Sequence, residues 1–150
     1  MIRIICVGKI KESYYKDAIL EYKKRLSKYT RIEIIEINDE NMDIKKTIKK
    51  EAENILKYMH ESDYNIALDI NGKEFDSETL AKKINEIFIS KSTITLIIGG
   101  SYGLGQSIKD KCNLLLSFSK LTFPHQLFRV ILLEQLYRSF KILNNEEYHK

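Results

Sequence analysis

The chain has 150 residues, of which 43% are hydrophobic and 31% are charged, and its formal net charge at pH 7 is +4. This length fits one domain spanning residues 1–150, and the composition excludes a disordered or fibrous protein. No apolar run approaches the ~20 residues that a membrane-spanning helix needs, and no leader pattern precedes the first strand-like run, so we expect a cytoplasmic protein. The positive charge permits a nucleic-acid partner without requiring one.

Short β-branched runs alternate along the chain with longer amphipathic stretches. This alternation is typical of an α/β domain with a mainly parallel sheet of five to six strands and helices on both faces. In the first half, strands are predicted over residues 2–7, 32–37 and 65–70, and helices over residues 12–28 and 45–60.

The second half continues the same pattern. Asn71-Gly72 is expected to form a turn, and Ser77 to cap the next helix, which carries Leu80, Ile84 and Ile87. The remaining expected elements are strands over residues 93–98 and 114–118, a short helix starting near Leu104, and a final helix over residues 126–143 that follows Pro124.

Loop-like residues collect at three places, over residues 71–73, 99–105 and 119–125, after the third, fourth and fifth predicted strands. Ligands of open parallel sheets bind outside the carboxyl ends of the strands. The three loops are therefore predicted to border one ligand pocket.

Residues 99–105 hold four of the six glycines of the chain. Glycine lets a ligand approach the backbone closely, and the helix that follows offers free N–H groups, so this segment suits an adenosine, a phosphate or a carboxylate. A tight strand-to-helix connection is the alternative interpretation, although one glycine would suffice for it. The segment lacks the G-x-G-x-x-G dinucleotide fingerprint, and Gly72-Lys73 is followed by Glu74, which excludes a P-loop.

The final predicted helix is apolar nearly all round, so it must be covered on several sides, and a homodimer interface is the natural hypothesis. The two cysteines, Cys6 and Cys112, lack metal-ligand spacing, and no metal site is predicted.

Four segments together resemble one family. They are residues 98–104 (Ile-Gly-Gly-Ser-Tyr-Gly-Leu), residues 116–126 (Leu-Ser-Phe-Ser-Lys-Leu-Thr-Phe-Pro-His-Gln), residues 129–138 with Glu134-Gln135 and Tyr137-Arg138, and the terminal Tyr148-His149-Lys150. In this order they are similar to the ribosomal RNA large subunit methyltransferase H family of the SPOUT class, and the resemblance covers the whole chain.

The resemblance implies a single SPOUT methyltransferase domain with a trefoil knot at its C-terminal end, and a homodimer whose interface forms each active site. It implies transfer of a methyl group from S-adenosylmethionine, without a metal, to N3 of a pseudouridine in 23S rRNA of the assembled 70S ribosome. By motif position, the cofactor would contact Leu68, Gly99, Phe118, Ser119, Lys120, Leu121, Thr122 and Phe123.

Methylation at this nitrogen requires loss of the imide proton, so a base or a nearby cation must assist. The candidate catalytic residues are His125, Arg138, Tyr148 and His149, with Arg129 as a further available cation. A structural hydrogen bond is the alternative role for His125, and ordinary surface polarity is the alternative for the Tyr148-His149 tail.

Two rival functions stay open at this point. The first is a non-catalytic nucleotide- or RNA-binding α/β module, and the specialised loop and tail count against it. The second is a nicotinamide-dependent oxidoreductase, which the missing dinucleotide fingerprint disfavours.

Overall fold

Five strands and five helices alternate along the chain, as the apolar pattern predicts. The computed structural model describes all residues 1–150. Its elements, in chain order, are β1 (Ile2–Val7), α1 (Ser13–Leu26), β2 (Ile32–Ile37), α2 (Ile44–Leu56), β3 (Tyr64–Glu74), α3 (Ser77–Ser90), β4 (Ile94–Ile98), α4 (Gln106–Lys109), β5 (Leu114–Ser117) and α5 (His125–Leu143).

The strands form a single five-stranded sheet in the order β2-β1-β4-β3-β5, and every neighbouring pair is parallel. Parallel neighbours need a crossover connection, which the intervening helices supply. The parallel α/β class is therefore confirmed, with five strands rather than six. Because all strands run the same way, their carboxyl ends lie at one edge of the sheet.

The sheet is covered on both faces, as predicted. Alternate residues of a strand point to opposite faces, so Ile4 of β1 lies in one hydrophobic core and Ile5 in the other. The larger core includes residues of α1, α3 and α5, and the smaller one includes residues of α2 and α4. Burial of β1 on both faces explains why its sequence is almost continuously apolar.

Two local predictions are wrong. Asn71-Gly72 does not turn the chain, because β3 continues to Glu74 with a shift in its register against β5. A Cβ atom at Gly72 would lie 2.6 Å from the carbonyl carbon of Leu115, so this glycine is required for close packing of two strands. Ser77 is not the N-cap of α3 either, since the Asp76 carboxylate accepts the hydrogen bond from the Thr79 amide at 2.7 Å.

Helix α5 lies between α1 and α3 and contacts both. Its buried apolar residues are Leu132, Leu133, Leu136 and Phe140, so much of the cover that this apolar helix needs comes from its own chain. Nearer its start, Leu127, Val130 and Ile131 stay half-buried. No helix combines the length and apolar character required to cross a bilayer.

Candidate functional site

A cavity of about 510 Å³ lies at the carboxyl ends of β4 and β5, beside residues 68–71 of β3. Its walls come from residues 68–71, from residues 98–104, and from the segment between Leu116 and Phe128, with Lys109 of α4 added. Pockets for small ligands commonly measure roughly 300–1,000 Å³. The predicted pocket therefore exists, and each of the three predicted loops contributes at least one residue to it.

The glycine turn forms one wall of this cavity. The Gly103 amide donates to the Gly100 carbonyl at 3.0 Å, and a Cβ atom at Gly99 would lie 2.7 Å from the carbonyl carbon of Gly103. Gly103 has a φ of +75°, and a Cβ atom there would meet nothing within 4 Å. Tight packing of the turn thus accounts for Gly99, whereas Gly103 leaves open space. The tight-connection interpretation therefore holds for Gly99, and the ligand-binding interpretation stays a prediction.

Three aromatic rings form a nonpolar wall. The ring centroids of Phe118 and Phe128 are 5.1 Å apart, and those of Phe123 and Phe128 are 6.2 Å apart. The loop between Phe118 and Phe123 is fixed by its own hydroxyl groups, since the Ser119 hydroxyl accepts from the Leu121 amide and the Ser117 hydroxyl donates to the Ser119 carbonyl. This wall suits a flat, apolar ligand group such as a nucleobase.

The cavity brings together seven of the eight residues predicted to contact a cofactor. They are Leu68, Gly99, Phe118, Ser119, Leu121, Thr122 and Phe123. The eighth, Lys120, is exposed and does not line the cavity.

Sequence reasoning missed the charged residues of the cavity, Asp69 and Lys109. The Lys109 Nζ atom lies 2.5 Å from the Asp69 carboxylate, which also accepts from the Asn71 amide at 2.8 Å. Burial alone would raise the pKa of Asp69, but the hydrogen bonds from Lys109 and Asn71 outweigh it and hold this pKa below its usual value. Asp69 follows Leu68 at the end of the buried part of β3, which was an available signal. The sequence contains no such signal for Lys109, since only the tertiary fold brings α4 to β3.

His125 is the one histidine in the cavity wall. Its imidazole packs against Gly8, where a Cβ atom would lie 3.1 Å from Nε2. Burial, together with the nearby Arg129 guanidinium, lowers the pKa of His125, so its ring is neutral at pH 7. The side chain makes no hydrogen bond within the chain, so the structural hydrogen bond considered for it is absent.

Arg129 lies beside His125 but is 1% exposed, and its guanidinium faces the backbone that follows β1. Its Nη2 atom donates to the carbonyls of Val7 and Gly8, which fixes the backbone directly after β1. Glu36 is its nearest carboxylate, with 3.4 Å between Nη1 and the oxygen. Arg129 therefore supports the wall that holds His125, and it does not line the cavity itself.

The other three catalytic candidates, Arg138, Tyr148 and His149, gather around Glu134, and we call these four residues the tail cluster. The Tyr148 hydroxyl donates to the Glu134 carboxylate at 3.1 Å, and the Arg138 guanidinium lies 4.7 Å from the centre of the Tyr148 ring. Arg138 also contacts the His149 Nδ1 atom at 3.1 Å. Burial and Glu134 raise the pKa of Tyr148 to about 12, so its hydroxyl stays protonated. The tail is docked on α5, and none of the cluster lines the cavity.

Comparison with known proteins shows that this chain matches a protein family over nearly its whole length. The model described as Predicted SPOUT methyltransferase matches residues 1–149. Proteins called ribosomal RNA large subunit methyltransferase H are 50% identical in Caldicellulosiruptor saccharolyticus, with all of both chains covered, and 52% identical in Clostridium novyi, with 99% of both covered. The same name is assigned provisionally to a protein of Methanococcus vannielii that is 57% identical, with 99% of both chains covered.

Among solved structures, a similar fold occurs in the ribosomal RNA small subunit methyltransferase E of Neisseria gonorrhoeae, bound to S-adenosylmethionine. The TM-score is 0.51 and the sequence identity is 12%, and the match covers 95% of this chain and 66% of that one. At this identity the similarity concerns the fold alone.

Proposed function

The chain belongs to the ribosomal RNA large subunit methyltransferase H family of SPOUT methyltransferases, and we propose that it transfers a methyl group from S-adenosylmethionine to large-subunit ribosomal RNA. More specifically, the acceptor is N3 of a pseudouridine in 23S rRNA, and the substrate is the assembled 70S ribosome. The names of the relatives support ribosomal RNA as the substrate class.

The observation that carries this proposal is the cavity at the carboxyl ends of β4 and β5, beside residues 68–71 of β3. Its size, its nonpolar wall of Phe118, Phe123 and Phe128, and its open backbone at Gly103 fit a nucleoside-containing ligand. When bound, S-adenosylmethionine supplies an electrophilic methyl group. The chain contributes a shaped cavity with a nonpolar aromatic wall that orients the ligand.

We assign His125 the role of proton acceptor for the target nitrogen. Its neutral ring lies in the cavity wall without a hydrogen-bond partner, so a nitrogen lone pair is free at pH 7. The tail cluster would face the RNA, with Arg138 and His149 contacting the backbone or base and Tyr148 holding them against Glu134. Lys120, which is exposed at the cavity loop, would contact the ligand only if this loop rearranges on binding.

We further infer a homodimer, a C-terminal trefoil knot, a single domain over residues 1–150, and action in the cytoplasm. The half-buried Leu127, Val130 and Ile131 of α5 and the exposed Leu121 supply an apolar surface that a second copy would cover. Such a dimer would bring the tail cluster of one subunit towards the cavity of the other. Light scattering at micromolar concentration should give twice the mass of one chain, and a monomer there would contradict the dimer.

Two measurements test the function. Calorimetry should detect binding of S-adenosylmethionine and no binding of NAD, which separates a methyltransferase from a nicotinamide-dependent enzyme. Mass spectrometry of 23S rRNA from a strain lacking the gene should show the loss of one methyl group. That group should return when the wild-type gene is restored, and the His125→Asn variant should restore it far less.

If the protein binds S-adenosylmethionine but the rRNA keeps every methyl group after deletion, the transferase proposal is wrong. The non-catalytic binding module then becomes the better account.

A further inference from the structure

The cavity wall contains one pair of opposite, permanent charges, Asp69 and Lys109. Of the residues that line the cavity, only His125 is otherwise ionisable near neutral pH, and its lowered pKa keeps it uncharged. The two side chains are mostly buried, with 10% of Asp69 and 23% of Lys109 exposed. They touch at 2.5 Å while both still reach the cavity.

Stability alone gives a weak reason for this ion pair. Replacing a mostly buried ion pair by apolar side chains of similar volume often leaves stability unchanged or raises it, so apolar residues could fill the same wall. The pair also keeps unused bonding capacity. An ammonium group has three N–H donors and a carboxylate has about four acceptor positions, whereas the fold uses one donor of Lys109 and two acceptor positions of Asp69.

A fixed pair of opposite charges with free donors and acceptors complements a zwitterion. The ligand carboxylate can bind to the lysine while the ligand ammonium binds to the aspartate, and no net charge is added to the cavity. The aromatic wall of Phe118, Phe123 and Phe128 offers a nucleobase contact without charge. The cavity therefore contains separate provisions for an apolar ring and for an amino-acid group.

We propose that Asp69 and Lys109 recognise the α-amino-acid end of the cofactor, with Lys109 binding its carboxylate and Asp69 its ammonium group. This inference rests on the proposed function, because it takes S-adenosylmethionine as the ligand. The ion pair would then distinguish the complete cofactor from nucleosides that lack the amino acid.

The test compares two ligands by calorimetry on the full-length protein. S-adenosylmethionine carries the amino-acid end, whereas 5′-methylthioadenosine keeps the adenine, ribose and sulfur but lacks that end. In Lys109→Gln and in Asp69→Asn, affinity for S-adenosylmethionine should fall by about tenfold or more, as expected for loss of a charge-assisted hydrogen bond. Affinity for methylthioadenosine should stay within about twofold of the wild-type value.

Matched controls lie next to Lys109. Lys111 and Asp110 are exposed and do not line the cavity, so Lys111→Gln and Asp110→Asn should leave both affinities unchanged. Retained binding of methylthioadenosine also shows that a variant is folded. Lys109→Arg keeps the charge and should keep most of the preference for the complete cofactor.

Three outcomes would overturn the inference. If Asp69→Asn weakens both ligands equally, Asp69 binds the ribose. If Lys109→Gln changes neither affinity, Lys109 serves another partner such as an RNA phosphate. If the wild-type protein binds the two ligands equally well, no recognition of the amino-acid end exists, although the proposed function stands. Failure of the wild-type protein to bind either ligand would overturn the proposed function itself.

Discussion

Two glycines have positive φ, and substitutions at them distinguish the cost of backbone strain from the cost of a side-chain clash. Gly8 has a φ of +91° and Gly103 a φ of +75°, but a Cβ atom would lie 3.1 Å from His125 at Gly8 and would meet nothing at Gly103. A left-handed conformation costs a residue with a side chain roughly 1–2 kcal/mol. We expect Gly103→Ala to lower the free energy of unfolding in urea by about 1 kcal/mol, and Gly8→Ala by about 2 kcal/mol or more.

The two variants should also differ at His125. Gly8→Ala should shift the imidazole resonances of His125 in the NMR spectrum, because the new methyl group displaces the ring, and Gly103→Ala should leave them in place. Equal losses of stability, with the His125 resonances unchanged in both variants, would show that the ring does not rest on Gly8.

Glu146 predicts a pH dependence of the C-terminal segment. Hydrogen bonds from Lys141 foremost, and then from Tyr29 and Lys28, lower the pKa of Glu146 from 4.5 to about 2. A carboxyl group whose pKa is lower in the folded state stabilises that state above its unfolded pKa. The contribution of Glu146 is therefore complete above pH 4.5 and is lost as the pH falls towards 2.

Amide hydrogen exchange over residues 141–148 should accordingly accelerate, relative to the rest of the chain, between these two pH values. Glu146→Gln should exchange fast at every pH. The neighbouring Glu147, which makes no ion pair, supplies the control, and Glu147→Gln should behave like the wild type. A wild-type segment equally protected at both ends of this range would refute the anchoring role.

At the scale of elements, the contact between β3 and β5 depends on Gly72. A Cβ atom there would lie 2.6 Å from the Leu115 carbonyl carbon and 2.7 Å from the Leu116 nitrogen, and backbone atoms cannot move aside cheaply. Gly72→Ala should cost about 2 kcal/mol of unfolding free energy, measured by urea denaturation. The adjacent, exposed Lys73 is the control, and Lys73→Ala should change stability by less than about 0.5 kcal/mol. A Gly72→Ala variant as stable as the control would mean that the strands separate without penalty.

Hydrophobic periodicity predicted the order and type of all ten elements, because it reports burial and burial dominates these short strands and amphipathic helices. It failed where a local signal had two meanings. Asn71-Gly72 is a common turn pair, but here tertiary packing of β5 decides the conformation. Ser77 is a good N-cap residue, yet Asp76 is equally suitable and lies one position earlier.

The cavity was predictable from the sequence, because the carboxyl ends of parallel strands lie at one edge of the sheet and the residues that follow three predicted strands therefore meet there. The charged residues that line the cavity were not predictable. Asp69 and Lys109 are 40 positions apart in sequence and meet only through packing of α4 against the sheet. The loop predicted over residues 119–125 already placed His125 at the pocket, whereas nothing in the sequence showed that Arg138 lies with the tail and not at the cavity.

At the scale of the whole molecule, the tail cluster and the cavity are separate parts of one chain. A change in the tail should therefore affect methylation of the RNA without affecting binding of the cofactor. A variant that ends at Glu147 lacks Tyr148 and His149, neither of which lines the cavity. Calorimetry should give wild-type affinity for S-adenosylmethionine, while methylation of ribosomes lacking the modification should fall at least about tenfold.

Tyr148→Phe is the matched control for this truncation. It keeps the ring that packs against Tyr137 and Arg138 and loses only the hydrogen bond to Glu134, so its methylation activity should fall less than that of the truncated variant. Full methylation by the truncated variant would remove the tail from the mechanism. Weakened cofactor binding would mean that the tail contributes to binding of the cofactor as well as to contact with the RNA.

The order of the strands also governs how the chain folds. β4 lies between β1 and β3 in the sheet, but it is the fourth strand to be synthesised. Until β4 has been synthesised as far as Ile98, β1 lacks the strand on its central side and β3 lacks any strand to pair with. Contacts between segments so distant in sequence form slowly, because the loop must close before the contact stabilises it. During translation, therefore, we expect the apolar residues of β1 and β3 to stay exposed to solvent until β4 has been synthesised. A chaperone that covers these residues should raise the yield of native protein.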